Sequence, residues 1–159
     1  MILVLTKSQY CADDGNTYQI IKEGINVIHC GGCGSCSNDH DIAIYHNTSK
    51  TLTHTTTMCA FIYLFSETMS RVCLDLAIGF TPKCTDCWIE NIACTLKKCG
   101  YVCLKHALTN FGDTHSNNSC IQCDEQNCGP DFKECSGANR RRLGIITDIE
   151  RYPEEICLL

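Results

Sequence analysis

The stretch that decides the fold runs from CWIENIACTLKKCGYVC at residues 87–103 to CIQCDEQNCGPDFKEC at residues 120–135. The cysteines of the first half are separated by 7, 5 and 4 residues, and those of the second half by 3, 5 and 7. An antiparallel helical hairpin places residues of nearly constant index sum opposite one another, so this mirrored spacing predicts a hairpin crossed by up to four disulfides. The predicted rungs are Cys87–Cys135, Cys94–Cys128, Cys99–Cys123 and Cys103–Cys120, of which the first three sum to 222 and the last to 223.

Helix geometry limits how straight the legs of this ladder can be. The return leg is predicted as one helix at residues 120–135, and the polar loop at residues 110–119 forms the tip. Seven residues return to the same helical face, but five residues rotate by about 140°, so four rungs cannot lie on one side of two straight helices. Gly100 and Gly129-Pro130 are the places where the legs could bend or unwind.

A further long helix is predicted before the ladder. From Thr55 to Gly79, large apolar side chains recur at helical spacing, which predicts one helix of about six turns. Its apolar run at residues 60–65 suits a core helix. Gly79 and Pro82 then end this helix and start the next, which continues to about Leu108, because glycine is common after helices and proline in their first turn.

The first 54 residues differ in composition from the rest. They are rich in Gly, Asn, Asp, Thr and β-branched residues and predict short strands and loops. The apolar runs read as strands are residues 1–5, 18–21, 25–28 and 42–45. Small residues between the cysteines of residues 30–36 predict a tight disulfide knot.

The expected fold class is therefore mainly α. It comprises a disulfide-laddered antiparallel helical hairpin packed with a further long helix, plus a small irregular or β N-terminal segment. The divisions are an N-terminal segment at 1–54, a helical region at 55–138 and a C-terminal tail at 139–159, all within one compact domain.

Sixteen cysteines in 159 residues make a disulfide scaffold the leading interpretation. Eight of them lie outside the ladder, and their pairing is open: Cys11, Cys30, Cys33, Cys36, Cys59, Cys73, Cys84 and Cys157. One arrangement ties Cys59 and Cys73 to the knot at residues 30–36. Another fastens the tail through a Cys84–Cys157 bond.

Two glycosylation sequons, which begin at Asn47 and Asn117, accompany the cysteines and favour a secreted, extracellular protein. An organelle lumen or an intermembrane space is the alternative. The apolar run at residues 2–5 is too short for the core of a signal peptide. No run of about 20 apolar residues predicts a membrane span. A net charge of −5 argues against nucleic-acid binding, which needs a basic face.

Two cysteine motifs admit other chemistry. The knot and the histidine that follows it have spacing compatible with a zinc or iron–sulfur site, whose ligands would be Cys30, Cys33, Cys36 and His40. The usual fourth cysteine is absent and the chain is dense in disulfides, so we prefer disulfides and expect no cofactor. Cys84-x-x-Cys87 has the spacing of a thioredoxin-type redox motif but lacks its βαβ context.

A basic run in the tail is the candidate interaction site. It consists of Arg140, Arg141 and Arg142, with acidic residues close behind it. It suits an anionic glycan, an acidic neighbour or a contact between subunits, whereas the simpler interpretation is a solvated or internally paired charge cluster. No nucleophile motif or phosphate-binding loop is present, so we predict no catalytic residue.

Four stretches carry a resemblance to a known family: CGGCGSCSNDHDI at 30–42, TPKCTDCW at 81–88, CDEQNCGPDF at 123–132 and GANRRRLGIITDIER at 137–151. In these the chain resembles an uncharacterised cysteine-rich secreted family of algae and other protists, from about Tyr18 onwards. The resemblance implies a compartment and an architecture. It transfers no catalytic residue.

The function expected from these observations is non-enzymatic. The leading hypothesis is a structural or assembly protein, such as a disulfide-stabilised subunit of an extracellular fibre or surface coat. One alternative is a secreted module that binds glycan or protein through the loop at 110–119 and the arginine run. The other is a lumenal accessory subunit of a larger complex. Self-assembly or protein partners are expected in each case.

Overall fold

The structure, a computed structural model, describes residues 34–109, 118–137 and 145. Over these residues the protein is helical and contains no strand, which confirms the predicted class of a mainly α, disulfide-rich fold. The six helices described are α1 (Asp39–Asn47), α2 (Leu52–Tyr63), α3 (Glu67–Ala77), α4 (Pro82–Thr109), α5 (Ser119–Asn127) and α6 (Gly129–Ser136).

Polar side chains and special backbone positions fix the helix ends. Asn38, Ser66 and Asn118 each accept a hydrogen bond from a backbone N–H of the first turn that follows, which satisfies donors that a helix leaves unpaired. Pro82 opens α4, and Gly79, at φ 86°, ends α3 in the left-handed conformation that glycine adopts without strain. The predicted boundary between these two helices is confirmed.

The strand predicted at residues 42–45 is wrong, because this run lies inside α1. Asn38 caps the helix, and the acidic Asp39 and Asp41 occupy its first turn, where the helix dipole favours negative charge. Its buried residues are Asp41 and Tyr45, which are four apart and therefore share one helical face. The other predicted strands, at residues 1–5, 18–21 and 25–28, lie outside the described residues.

The single helix predicted from Thr55 to Gly79 is also wrong, since the chain folds back between α2 and α3. Ser66 caps the second helix by accepting a hydrogen bond from the Met69 N–H at 3.3 Å. Cys59 is bonded to Cys73 with their Cα atoms 5.6 Å apart, whereas one straight helix would separate them by about 21 Å. We call these two helices the α2–α3 hairpin.

Helix α4 runs the length of the cysteine ladder, and α5 and α6 return along it. All four predicted rungs are present: Cys87–Cys135, Cys94–Cys128, Cys99–Cys123 and Cys103–Cys120 have Cα separations of 5.6, 5.9, 5.8 and 4.5 Å. The outgoing leg α4 continues through Gly100 as one helix, so it does not unwind there. The return leg is two helices and not one. It breaks at Cys128, which stands outside helical geometry at φ −121°, immediately before Gly129-Pro130. This break changes the direction of the return leg. Disulfides whose cysteines point in different directions around the helix axis can therefore form in the same ladder.

The remaining bonds described differ from the two arrangements suggested above. Cys59 pairs with Cys73 and not with the knot at residues 30–36. Cys36 pairs with Cys84, which excludes a Cys84–Cys157 bond. The Cys36–Cys84 bond spans 48 residues and clamps the segment before α1 onto the start of α4.

The core lies where α1, the α2–α3 hairpin and the first half of α4 meet. It is built from apolar side chains that are almost fully buried: Tyr45, Leu52, Leu74, Ile78, Phe80, Trp88, Ile89, Ile92 and Ile145. Phe80 and Trp88 stack at a centroid separation of 5.9 Å, and Phe132 of α6 meets Trp88 edge-on at 4.7 Å. Helix α1, from the predicted N-terminal segment, therefore shares this core with the helical region.

The segment before α1 also docks against the end of α6. The Ser35 N–H donates to the Cys135 carbonyl and the Cys36 N–H to the Ser136 carbonyl, both at 2.9 Å. Gly34 has φ 96°, and a Cβ atom there would lie 2.7 Å from the Cα of Gly137. Close contact between two glycine backbones is what allows the segment to reach the helix end.

Replacement of Gly34 by alanine is expected to lower the free energy of unfolding by about 2 kcal/mol, because it adds backbone strain and a clash with Gly137. Gly100→Ala is the matched control. It lies within α4, and nothing lies within 4 Å of a Cβ placed there, so alanine should raise stability by about 1 kcal/mol. Chemical denaturation without reductant measures both, and equal effects would contradict the packing at Gly34.

Candidate functional site

The structure does not support a metal site with Cys30, Cys33, Cys36 and His40 as its four ligands. Cys36 is committed to the disulfide with Cys84, and His40 lies 2.8 Å from the Gly79 carbonyl through its Nε2 atom. Cys30 and Cys33 lie outside the described residues. Among residues 34–109, 118–137 and 145, no cluster of His, Cys, Asp or Glu is arranged to hold a metal ion.

The redox reading of Cys84-x-x-Cys87 is wrong as well. The two cysteines bond to different partners, Cys36 and Cys135, and not to each other. Both are almost fully buried, at 0% and 1% exposure. A thioredoxin-type exchange needs an accessible thiolate, so these bonds serve the scaffold.

Of the surface features predicted, only one sequon is described in full. Asn47 is the last residue of α1 and is exposed, and the Thr48 hydroxyl donates to the Ile44 carbonyl at 2.7 Å. Asn117 and the run Arg140–Arg142 lie outside the described residues, as does the loop at 110–117.

A buried carboxylate joins α1 to the start of α4. Asp41 is 0% exposed and accepts hydrogen bonds from the Thr81 N–H at 2.7 Å and from the Thr81 hydroxyl at 2.5 Å. The Asn38 amide donates to the same carboxylate. Because every one of these partners is internal and lies at helix ends, the arrangement satisfies buried polar groups. It holds two helices together and offers no open position to a substrate.

A second polar cluster lies within the ladder. The Thr95 hydroxyl and the Asn91 amide both donate to Oδ1 of Asp124, and Thr95 also donates to the Asn91 carbonyl at 2.8 Å. On the same side, Lys98 donates to the Asn127 carbonyl at 2.9 Å. These bonds tie α5 to α4 between the rungs, so they reinforce the ladder.

The most unusual feature of the described surface is the outer side of the α2–α3 hairpin. Large apolar side chains are exposed there, with Phe65 91% and Leu76 84% exposed. We call the set the hairpin face: Met58, Ile62, Leu64, Phe65, Met69, Val72 and Leu76. Clustered exposed apolar residues of this kind mark interaction sites.

The sequence predicts a core helix for the run at residues 60–65, and this prediction is wrong for Ile62, Leu64 and Phe65, which are exposed. The side that faces the core carries Leu52, Thr56, Cys59, Ser70 and Leu74. Two features of the sequence indicate that this region is a pair of helices and not a single helix. The Cys59–Cys73 spacing fits a helical hairpin, and Ser66-Glu67 is a helix start after the apolar run.

At the tip of this hairpin, Tyr63 donates to a carboxylate oxygen of Glu67 at 3.1 Å. Partial burial and the adjoining Glu67 carboxylate raise the pKa of the Tyr63 phenol, because both disfavour its anion. The phenol is therefore a hydrogen-bond donor that pins the start of α3 to the end of α2, and it stays protonated at neutral pH.

A second exposed apolar set lies on the last turns of α4. Tyr101 is 82% and Leu108 79% exposed, and Leu104 lies between them on the same helical face. With Lys105 and Thr109 they line a shallow groove. We call Tyr101, Leu104 and Leu108 the α4 stripe. It lies on the side of α4 roughly opposite the Cys99 and Cys103 rungs.

The two apolar sets are far apart on one scaffold. The α2–α3 hairpin is held to the start of α4 by the Arg71–Asp86 ion pair at 2.5 Å and by the Thr85 hydroxyl, which donates to Asp75. From Asp86 to Leu104 the helix rises about 27 Å. The arrangement therefore has two separate exposed apolar surfaces at different ends of a cross-linked body.

Comparison with known proteins gives a family and no activity. Residues 66–159 match the model of a family of unknown function, DUF8771. Neither the curated proteins nor the solved structures hold a significant match to the chain. None of the six described helices combines the length and the hydropathy of a membrane span.

Proposed function

The chain belongs to DUF8771, a family of unknown function, and we propose from its own geometry that it is a non-enzymatic assembly protein, a disulfide-stabilised subunit of an extracellular fibre or surface coat. The observation that carries the proposal is the presence of two separate exposed apolar sets, the hairpin face and the α4 stripe, on one covalently braced body. A subunit with two separate contact surfaces can join more than one neighbour and so grow beyond a dimer.

The disulfides support the compartment that this proposal needs. The six described bonds fit a secreted or lumenal protein, since such bonds persist in oxidising environments. The proposal further includes secretion to the cell exterior and glycans on the two sequons. It also includes the origin in algae or other protists that the resemblance implies. The alternative that binds glycan or protein through the loop at 110–119 and the run Arg140–Arg142 rests mainly on residues 110–117 and 140–142, which the structure does not describe, so no observation favours it.

Rigidity supports the same proposal. Three rungs, Cys94–Cys128, Cys99–Cys123 and Cys103–Cys120, brace the half of α4 that carries the stripe. A braced helix presents a docking surface in one conformation, so association orders few side chains and little backbone. A stiff body also transmits a fixed geometry from one contact to the next, as a fibre or coat requires.

The test is the size of the particles formed by the oxidised, full-length protein. We expect negative-stain electron microscopy to show assemblies larger than dimers. The double variant Leu104→Asp/Leu108→Asp places charge on the α4 stripe and should stop growth at a small closed species, while circular dichroism shows unchanged helicity because both residues are exposed. Unassembled monomers from the unaltered protein at every concentration would contradict the proposal.

A further inference from the structure

We propose that the hairpin face binds the hairpin face of a second copy of this chain, around a two-fold axis. This inference rests on the proposed function and identifies one of its contacts. The argument uses the direction, size and charge of the face.

The exposed side chains of the two helices point in one direction. On α2, Met58 and Ile62 lie within about 40° of each other, and on α3, Met69, Val72 and Leu76 lie within about 60°. Relative to the Cys59–Cys73 bond, both sets are rotated away from the partner helix in the same sense, by roughly 70–80°. Because α2 and α3 are antiparallel, equal rotations bring the two sets to the same side of the hairpin.

The face is large enough for a stable contact. The five side chains on the two helices expose the equivalent of about two and a half whole residues, and Leu64 and Phe65 in the turn between the helices add about one and a half. At about 170 Å² for a whole large apolar residue, the total is roughly 700 Å². Monomeric proteins rarely expose a contiguous apolar patch larger than about 600 Å². A standard interface buries about 800 Å² on each partner, so pairing two copies of the face approaches that size.

The face carries no charged side chain. The charged residues of α3, Glu67, Arg71 and Asp75, follow one another at a spacing of four and form a different stripe. All three already have partners within the chain, namely Tyr63, Asp86 and Thr85. A two-fold contact through this face therefore brings no like charges together and leaves none buried.

Charge also decides between a second copy and a lipid surface. Interfacial helices that bind membranes carry Lys and Arg beside their apolar face. The α2–α3 hairpin has Arg71 alone against Glu67 and Asp75, and Arg71 is engaged with Asp86. The net charge of −5 opposes approach to an anionic bilayer. An uncharged apolar surface suits the hairpin face better than an anionic bilayer does. The hairpin face of a second copy of the chain is such a surface.

The first experiment compares two matched variants of the oxidised, full-length protein by sedimentation velocity. Phe65→Asp/Leu76→Asp places charge on the hairpin face, and Leu104→Asp/Leu108→Asp places it on the α4 stripe. All four positions are exposed, Leu104 by about half. We expect the hairpin-face variant to weaken the dimer contact by about a hundredfold or more, because a charge would be buried unpaired. The α4-stripe variant should retain that dimer.

Photo-cross-linking then identifies the contact. A benzoylphenylalanine in place of Phe65 should form bonds to residues 58–76 of a second copy, which mixed isotope labelling distinguishes from bonds within one chain. Bonds only within the chain, or only to lipid when neutral and anionic vesicles are present, would overturn the inference. If the hairpin-face variant associates as strongly as the unaltered protein, this inference fails while the proposed function stands. If the unaltered protein never associates, both fail.

Discussion

Replacement of both Cys36 and Cys84 by alanine is expected to lower the free energy of unfolding by about 4 kcal/mol. This bond closes a loop of 48 residues, and the entropy removed from the unfolded chain grows with loop length. The bond also holds the segment before α1 against α4, beside the docked backbone of Ser35 and Cys36. Denaturant titration of the oxidised protein measures the loss.

The matched control removes a rung of the ladder, Cys94→Ala/Cys128→Ala. Its sequence separation is 34 residues, but rungs at Cys87–Cys135 and Cys99–Cys123 flank it and leave only a short loop to close. We expect about half the loss of the first variant. A rung variant that is destabilised more than the Cys36–Cys84 variant would contradict this account of how the bonds share the stabilisation.

Trp88→Ala is expected to lower the free energy of unfolding by about 3–5 kcal/mol. Trp88 is 8% exposed and stacks on Phe80, meets Phe132 edge-on and donates from its indole N–H to the Tyr45 hydroxyl at 3.2 Å. Alanine would leave a cavity where α1, α4 and α6 meet and would remove the indole hydrogen bond to the buried Tyr45 hydroxyl.

Trp88→Phe separates the two contributions. It keeps an aromatic ring between Phe80 and Phe132 but removes the indole donor, so a loss of about 1–2 kcal/mol is expected. The comparison is made by denaturation at one pH without reductant. If Trp88→Ala lowers the free energy of unfolding no more than Trp88→Phe does, packing of the aromatic rings is not what joins α6 to the core.

The ladder could be predicted from sequence because covalent geometry is strict. A disulfide requires Cα atoms within about 7 Å, so mirrored cysteine spacings leave few pairings for an antiparallel hairpin. The pairings of Cys36, Cys59 and Cys84 could not be predicted in this way, because the spacings of these cysteines are not mirrored elsewhere in the chain. Their partners depend on how α1 and the α2–α3 hairpin pack, and that packing cannot be read from spacing alone.

The hairpin face could not be predicted from hydrophobic periodicity. A pattern of apolar residues at helical spacing shows that a helix has an apolar side, but it does not show whether that side is covered. In α2 and α3 the buried side mixes the apolar Leu52 and Leu74 with the polar Thr56 and Ser70, while other large apolar side chains are exposed. Ser70 is buried because its hydroxyl donates to the Cys59 carbonyl at 2.8 Å, a contact made only after the chain folds back.

The strand predicted at residues 42–45, which lie in helix α1, was wrong for a related reason. Ile42, Ile44 and Tyr45 favour strands as residue types, but Asn38 and the acidic first turn start a helix, and burial of Asp41 against Thr81 fixes it. The tertiary contact outweighs the local preference, as it does for many short elements.

The most direct test of the central claim is the molar mass of the unaltered, oxidised protein, measured by light scattering from micromolar to millimolar concentration. A subunit that works by self-association should show a mass that starts near the 17.7 kDa of the chain and rises with concentration beyond that of a dimer. A mass that stays at 17.7 kDa throughout the range would contradict the claim that this protein is an assembly subunit.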